Sequence, residues 1–198
     1  MVSSRPSTDA TRDRILDAAL ACLRRYGGAK TKIEDIAAEA GLARTGVYRY
    51  FSSKREIVTA LANRWMTEDN NGLSSIASDR SLAAGARIER MAKTTARVVR
   101  TRYLAEACLM EVIDQVNRNL VAQIQQHRTE TRTLYRQVID DGVSSGEFAV
   151  ADAAHAAATL VDALEVFANP ASAQLIPATQ LEKRAVAVAR LAAQGFKK

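Results

Sequence analysis

From residue 11 onward the apolar positions recur at spacings of three and four, the period of an amphipathic helix. Ile15, Ala19, Cys22, Leu23 and Tyr26 form one stripe. They predict a helix over 11–26 that Gly27-Gly28 stops in a left-handed turn. Ile33, Ile36, Ala37 and Ala40 form a narrower stripe, with a T-x-x-E capping box at Thr31 and Glu34 in front and Gly41 behind. After a turn of a few residues comes 43–51, ARTGVYRYF. A second box, Ser53 and Glu56, then opens a helix with Ile57, Leu61 and Trp65 on one face. The pattern lapses over 70–80, NNGLSSIASDR, which reads as a loop.

Five further helices follow. The spacing places them at about 81–100, 103–114, 117–141 with a stop at Gly142, 152–168 capped by Asp152, and a last one opened by a Thr179/Glu182 box and ending near Gly195. SSGEF at 144–148 reads as a turn, and Asn169-Pro170 as a helix end. Between Pro6 and Pro170 no proline interrupts the pattern. The expectation is an all-α chain of about nine helices. A flexible polar arm covers 1–10. A three-helix head, 11–55, contains two helices joined by a tight Gly-bearing turn, the helix-turn-helix signature. A larger helical domain, 56–198, follows.

Composition narrows the function classes. At 47% apolar the chain has enough hydrophobic surface for a core. No apolar run reaches the roughly 18–20 residues that span a bilayer. The polar N-terminus lacks the apolar stretch of a secretory signal, so a cytoplasmic protein is expected, with no membrane partner. Cys22 and Cys108 lie inside apolar helical patterns and read as buried free thiols. The net charge is +6, and its placement matters more than its size. Residues 1–55 hold 11 Lys/Arg and 6 Asp/Glu, or +5, whereas residues 56–198 hold 17 and 16, or +1. A basic head points to a polyanion.

The segment 43–51 shows which one. On a helix, Val47 and Phe51 fall on one side and dock inward with Leu42. Thr45, Gly46 and Arg49 fall on the other, while Arg44 and Tyr48 flank one edge of the apolar stripe and Tyr50 the other. DNA suits each part. Arginine reads guanine edges bidentately or holds phosphate, and Thr45 offers a hydroxyl and a methyl to base edges. The tyrosine hydroxyls can reach phosphates on the two groove walls. Gly46 leaves room for close approach. Lys54, in the first turn of the next helix, can hold a phosphate together with free backbone N–H groups. Thr31, with Lys32 beside it, can do so at the start of the preceding helix.

This stretch, TKIEDIAAEAGLARTGVYRYFSSKREIV, resembles the DNA-binding region of the TetR family of bacterial transcriptional regulators. The likeness lies in the Thr-led helix with Ile-Ala-x-x-Ala-Gly, the apolar-Tyr-x-x-Phe pattern and the Ser-Lys that follows. It covers about residues 11–65. The resemblance implies phosphate contacts by Thr31, Tyr48, Tyr50 and Lys54, and base or groove contacts by Arg44, Thr45, Gly46 and Arg49. It also implies a helical ligand-binding domain, a homodimer on a palindromic double-stranded operator, repression, and release by a small-molecule effector. Two departures stand out. Ala43 sits where a capping serine is common, and Gly46 where a side chain often stands, so the recognition helix is expected to be marginal until it meets DNA.

The remaining features carry less. Leu160, Leu164, Phe167, Leu181, Val188 and Leu191 offer apolar area on the last two helices for a four-helix dimer interface. Trp65, Met66, Tyr103, Cys108, Met110, Glu111, Tyr135 and Phe167 are the candidate lining of an effector pocket. His127 and Glu130 stand three apart on one helix, but no second ligand set accompanies them, so no metal is expected. No phosphate loop, catalytic triad pattern or Cys/His cluster suggests an enzyme or a cofactor. The competing reading is a helical small-molecule-binding or enzymatic bundle whose basic head binds a protein or membrane surface.

Overall fold

The computed structural model describes residues 8–104 and 120–197. Among them are nine α-helices and no strand. The chain divides into two compact units, one holding residues 8–65 with Leu120, the other residues 66–104 with 121–197.

The first unit contains α1 (Thr8–Lys30), α2 (Ile33–Glu39), α3 (Arg44–Tyr48) and the opening turns of α4 (Lys54–Ala77). Gly27, at φ 77° and ψ 166°, breaks α1 where the glycine pair predicts a stop. Ile15, Leu16, Leu23, Ile36, Val47, Phe51, Ile57 and Leu61 are buried. Tyr26, the last member of the predicted stripe, is exposed instead.

The second unit takes the rest of α4, then α5 (Ala84–Val98) with a π-helical continuation over Val99–Leu104. After these come α6 (Val121–Ser144), α7 (Ala153–Ala168), the short α8 (Pro170–Ala173) and α9 (Ala178–Gly195). α9 packs along α5, and α6 against α7. Ile88, Met91, Tyr135, Ile139, Leu160, Leu164, Phe167 and Leu181 form one core with the alanines Ala185, Ala189 and Ala193. Those small residues let α9 lie close to its neighbours.

Three local expectations in this unit fail, each because a tertiary contact outweighs a local preference. Residues 70–77 are helix, not loop. Leu73 and Ala77 are buried, and the buried Asn70 donates to Glu130 Oε2 at 2.5 Å and accepts from Thr131 Oγ1 at 3.3 Å. Gly142 does not stop α6. A Cβ there would lie 2.6 Å from Phe148 Cε2 and 2.9 Å from Ala84 Cβ, so glycine permits a close approach. The stop is Gly146, at φ 77°. The Thr179/Glu182 box does not form. α9 begins behind Pro177, and Glu182 pairs with Arg100 at 2.8 Å. Elsewhere, α5 is capped from a distance, since Glu147 accepts from the N–H groups of Ala84 (2.7 Å) and Gly85 (2.9 Å). Asp152 caps α7 as expected, through the His155 N–H at 2.9 Å. Most of the helix expected at 103–114 lies outside the described residues.

Candidate nucleic-acid interface

The turn between α2 and α3 is built by backbone hydrogen bonds. Leu42 N–H donates to Ala37 O (2.8 Å) and Gly41 N–H to Ala38 O (3.1 Å), with Gly41 at φ 63°. This is a Schellman stop, which needs a residue at ease in the left-handed region. α3 then starts at Arg44 with no side-chain cap from Ala43. Val47 and Phe51 are buried beneath it, and Arg12 lies over the Phe51 ring at 5.0 Å. Arg44, Thr45, Tyr48 and Arg49 are exposed, while Gly46 and Tyr50 are half-buried. One short helix therefore spends two apolar side chains on its anchorage and turns four polar ones outward.

The flanking elements correct the capping role expected of Thr31 and add one to Lys54. Thr31 is buried, and its hydroxyl faces Gly27 O (2.7 Å) and Cys22 O (3.2 Å). It closes the end of α1, whose last carbonyls lack helical partners, so it does not cap α2, and its side chain is turned inward. The N-cap of α2 is Lys32, whose N–H donates to Asp35 at 2.9 Å, while the Lys32 side chain is exposed. Lys54 Nζ donates to Gly28 O and Thr31 O, both at 2.9 Å. Two of its three N–H bonds thus pin the start of α4 to the α1–α2 turn, and one is left for a phosphate. Ser53 caps α4 by accepting from Glu56 N–H (3.2 Å). The Glu56 carboxylate reaches back to Ser52, whose N–H and hydroxyl hold its pKa below the usual range.

The acidic side chains of the head are largely occupied. Asp17 pairs with Arg64 (2.8 Å), Glu39 with Arg25 (3.1 Å) and Glu34 with Arg44 (2.9 Å). Arg44 also donates to Tyr48 Oη at 3.3 Å and lies over that ring at 5.4 Å. Glu34, a capping residue by its sequence position, instead holds the first arginine of α3. No such partner meets Arg49 among the described residues. Cys22 is a free, buried thiol whose pKa burial pushes up, which suits an inert core position.

The other predicted sites fare unevenly. Trp65 is buried at the end of the first unit, and Met66, half-buried, opens the second. Tyr135 and Phe167 are packed into the second core. Cys108, Met110, Glu111 and the side chain of Tyr103 lie outside the described residues. Of the apolar residues on the last two long helices, Leu160, Leu164, Phe167 and Leu181 are buried in their own unit and are not available to a second copy. Val188 is half-buried, and only Leu191 is well exposed, at 68%. His127 is half-buried, which lowers its pKa against the pull of Glu130, and its Nδ1 has no partner among the described residues. Glu130 serves Asn70 and Gln126 instead. Nearby, burial raises the Asp69 carboxyl to about 6, opposed by Arg102 at 2.9 Å. No sequence signal announces the open groove of about 980 Å³ between α5 and α9, lined by Glu89, Arg90, Lys93, Glu182, Lys183 and Arg190 among others. No helix among the described residues is long and apolar enough to cross a membrane.

Comparison with known proteins agrees with this geometry. Residues 15–61 match the family of bacterial regulatory proteins, tetR family, and residues 84–189 match the tetracyclin repressor-like C-terminal domain. No curated protein matches in sequence. Among solved structures, a TetR transcription regulator from Haloarcula marismortui is similar at a TM-score of 0.77 and 18% identity, over 96% of this chain and 100% of that one. SmeT, the repressor of the Stenotrophomonas maltophilia multidrug efflux pump SmeDEF, is similar at 0.69 and 22%, over 94% and 90%. FadR of Bacillus subtilis, in complex with stearoyl-CoA, is similar at 0.64 and 17%, over 92% and 98%. With one family model on the helix-turn-helix and another on more than half of the chain, this protein belongs to the TetR family and is a DNA-binding transcriptional regulator.

Proposed function

We propose that this regulator acts as a homodimeric repressor on a palindromic operator and is released by a small molecule bound in the second unit. The observation that carries the DNA contacts is the outward face of α3. Arg44, Thr45, Tyr48 and Arg49 are exposed on a helix whose anchors, Val47 and Phe51, are fully buried. Lys32 and the remaining N–H of Lys54 flank it as phosphate contacts. Gly46 and Tyr50 complete the face.

A dimer is supported by apolar surface that the second unit leaves uncovered. Ala163 and Val166 on α7, Ala187 and Leu191 on α9, and Leu175 between them are exposed. On α7 they continue a stripe with His155, Thr159 and Asp162. Two copies joined there would carry two recognition helices, which must lie about 34–36 Å apart to enter successive major grooves. A ligand that prefers the other separation lowers DNA affinity, and DNA lowers ligand affinity by the same factor. Among the structural relatives, SmeT has been solved with triclosan and the Bacillus subtilis FadR with stearoyl-CoA. In this chain a ligand seat would draw on Met66, Tyr135 and Phe167, and on the hydrogen-bonding seam of Asn70, His127, Glu130 and Thr131 between α4 and α6.

The test is selection of genomic fragments by the purified protein at physiological salt, then footprinting. A protected near-palindrome with half-sites about one helical turn apart is the expected result. A single unpaired half-site, or binding no tighter to any fragment than to bulk DNA, overturns it.

A further inference from the structure

We infer that Glu34, on α2, is a positioning residue for sequence discrimination. It fixes the guanidinium of Arg44 for base reading and withholds it from indiscriminate phosphate pairing. The inference rests on the reading of α3 as the DNA-facing helix and of Arg44 as a DNA contact.

Three contacts converge on one side chain. Glu34 Oε1 forms an ion pair with Arg44 Nη1 at 2.9 Å, Tyr48 Oη accepts from Nη2 at 3.3 Å, and the guanidinium carbon lies 5.4 Å from the Tyr48 ring centre. Glu34 and Arg44 are half-exposed (52% and 59%), so the pair adds little to stability. Its position is what matters. Glu34 belongs to the first turn of α2 and Arg44 to the first turn of α3, so the pair spans the helix-turn-helix. Arg49, which closes the other end of α3, has no such tether among the described residues.

Two physical consequences act in the same direction. An arginine ordered before binding spares the specific complex the cost of immobilising a long side chain. A carboxylate already paired with that arginine opposes its transfer to a phosphate, the interaction that dominates binding to random DNA. Glu34 therefore raises the ratio of specific to non-specific affinity, although its charge bars it from holding a phosphate itself.

The experiment compares the wild type, Glu34→Gln, Arg44→Ala and the double variant by fluorescence anisotropy. The probes are the selected genomic site and a random-sequence duplex of equal length, each titrated over a salt series. Glu34 is exposed and glutamine keeps its shape, so the fold persists, and circular dichroism checks this. In Glu34→Gln, affinity for the selected site should fall roughly two- to tenfold. Affinity for random DNA should hold or rise, and its log–log salt slope should steepen by about 0.9 as Arg44 gains a phosphate. In the Arg44→Ala background the Glu34 substitution should change neither the ratio nor the slope. An unchanged ratio and slope in Glu34→Gln, with Arg44→Ala clearly impaired, overturns the role of Glu34 and leaves the DNA-facing reading intact. If Arg44→Ala binds both duplexes as the wild type does, Arg44 is not a contact and both fall together.

Discussion

Replacing Gly46 by alanine separates what the fold needs at that position from what DNA needs. A Cβ on residue 46 would meet Leu42 Cβ at 3.6 Å and Leu42 Cδ2 at 4.0 Å, which is ordinary van der Waals contact. The backbone there is not in the left-handed region that favours glycine. Inside the protein the methyl is therefore accommodated, and alanine is favoured over glycine in a helix by about 1 kcal/mol. In a helix as short as α3 a gain of about 0.5–1 kcal/mol is expected, a rise in Tm of roughly 1–4 °C for a chain of this size. If Gly46 lies against the DNA, the same methyl enters a packed interface, where an extra carbon costs about 1–3 kcal/mol. Operator affinity should then fall about 5- to 150-fold. Thermal denaturation and operator anisotropy on one preparation read both signs. A variant that is more stable and binds the operator as well as the wild type, or better, would refute the placement of Gly46 at the DNA surface.

Three further outcomes follow from the geometry. Lys54→Met removes two hydrogen bonds from a charged donor to Gly28 O and Thr31 O; with half-exposure discounting them it should cost about 1–3 kcal/mol in urea denaturation and weaken all DNA sequences alike, whereas unchanged stability would make Lys54 a phosphate contact only. Gly142→Ala places a Cβ against the Phe148 ring and Ala84; it should destabilise by about 1–3 kcal/mol despite the better helix propensity, the opposite sign to Gly46→Ala, and a rise in Tm would contradict the close approach. Leu191→Glu puts a charge on the most exposed leucine of α9 and, on the proposed dimer, should convert it to a folded monomer in sedimentation equilibrium; a mass that stays dimeric would move the interface elsewhere, and a monomeric wild type would overturn the dimer.

The head was legible because its signals are local. A glycine ends α1, a Gly41 turn separates α2 from α3, Ser53 caps α4, and Val47 and Phe51 repeat on one face. Each is set by neighbours a few residues away. Thr31 misled because a threonine before a helix has two uses for its hydroxyl. The choice between capping α2 and closing α1 was made by the chain folding back, so that Gly27 O and Cys22 O came within reach. Lys54 likewise met carbonyls 23 and 26 residues upstream, beyond any local pattern.

In the second unit the balance shifts. Apolar periodicity alone determined that this region is helical, and Asp152 determined where α7 starts. It could not tell a core leucine from an interface leucine, because both sit on the same stripe and differ only in what lies opposite. Packing decided that Leu160, Leu164, Phe167 and Leu181 face inward while Leu191 and Val166 are left outside. Packing also carried α4 through Asn70 and Gly72 and carried α6 through Gly142, since burial of Leu73 and Ala77 and the seat of the Phe148 ring outweigh local propensities of about 1 kcal/mol. By itself, then, the sequence determined the class of the protein, the helix-turn-helix and the residue types that α3 turns outward, all of which depend on short-range spacing. Only the tertiary structure decided which of those side chains are free, which are tied and by whom, because pairings such as Glu34 with Arg44 exist only once separate helices are brought together.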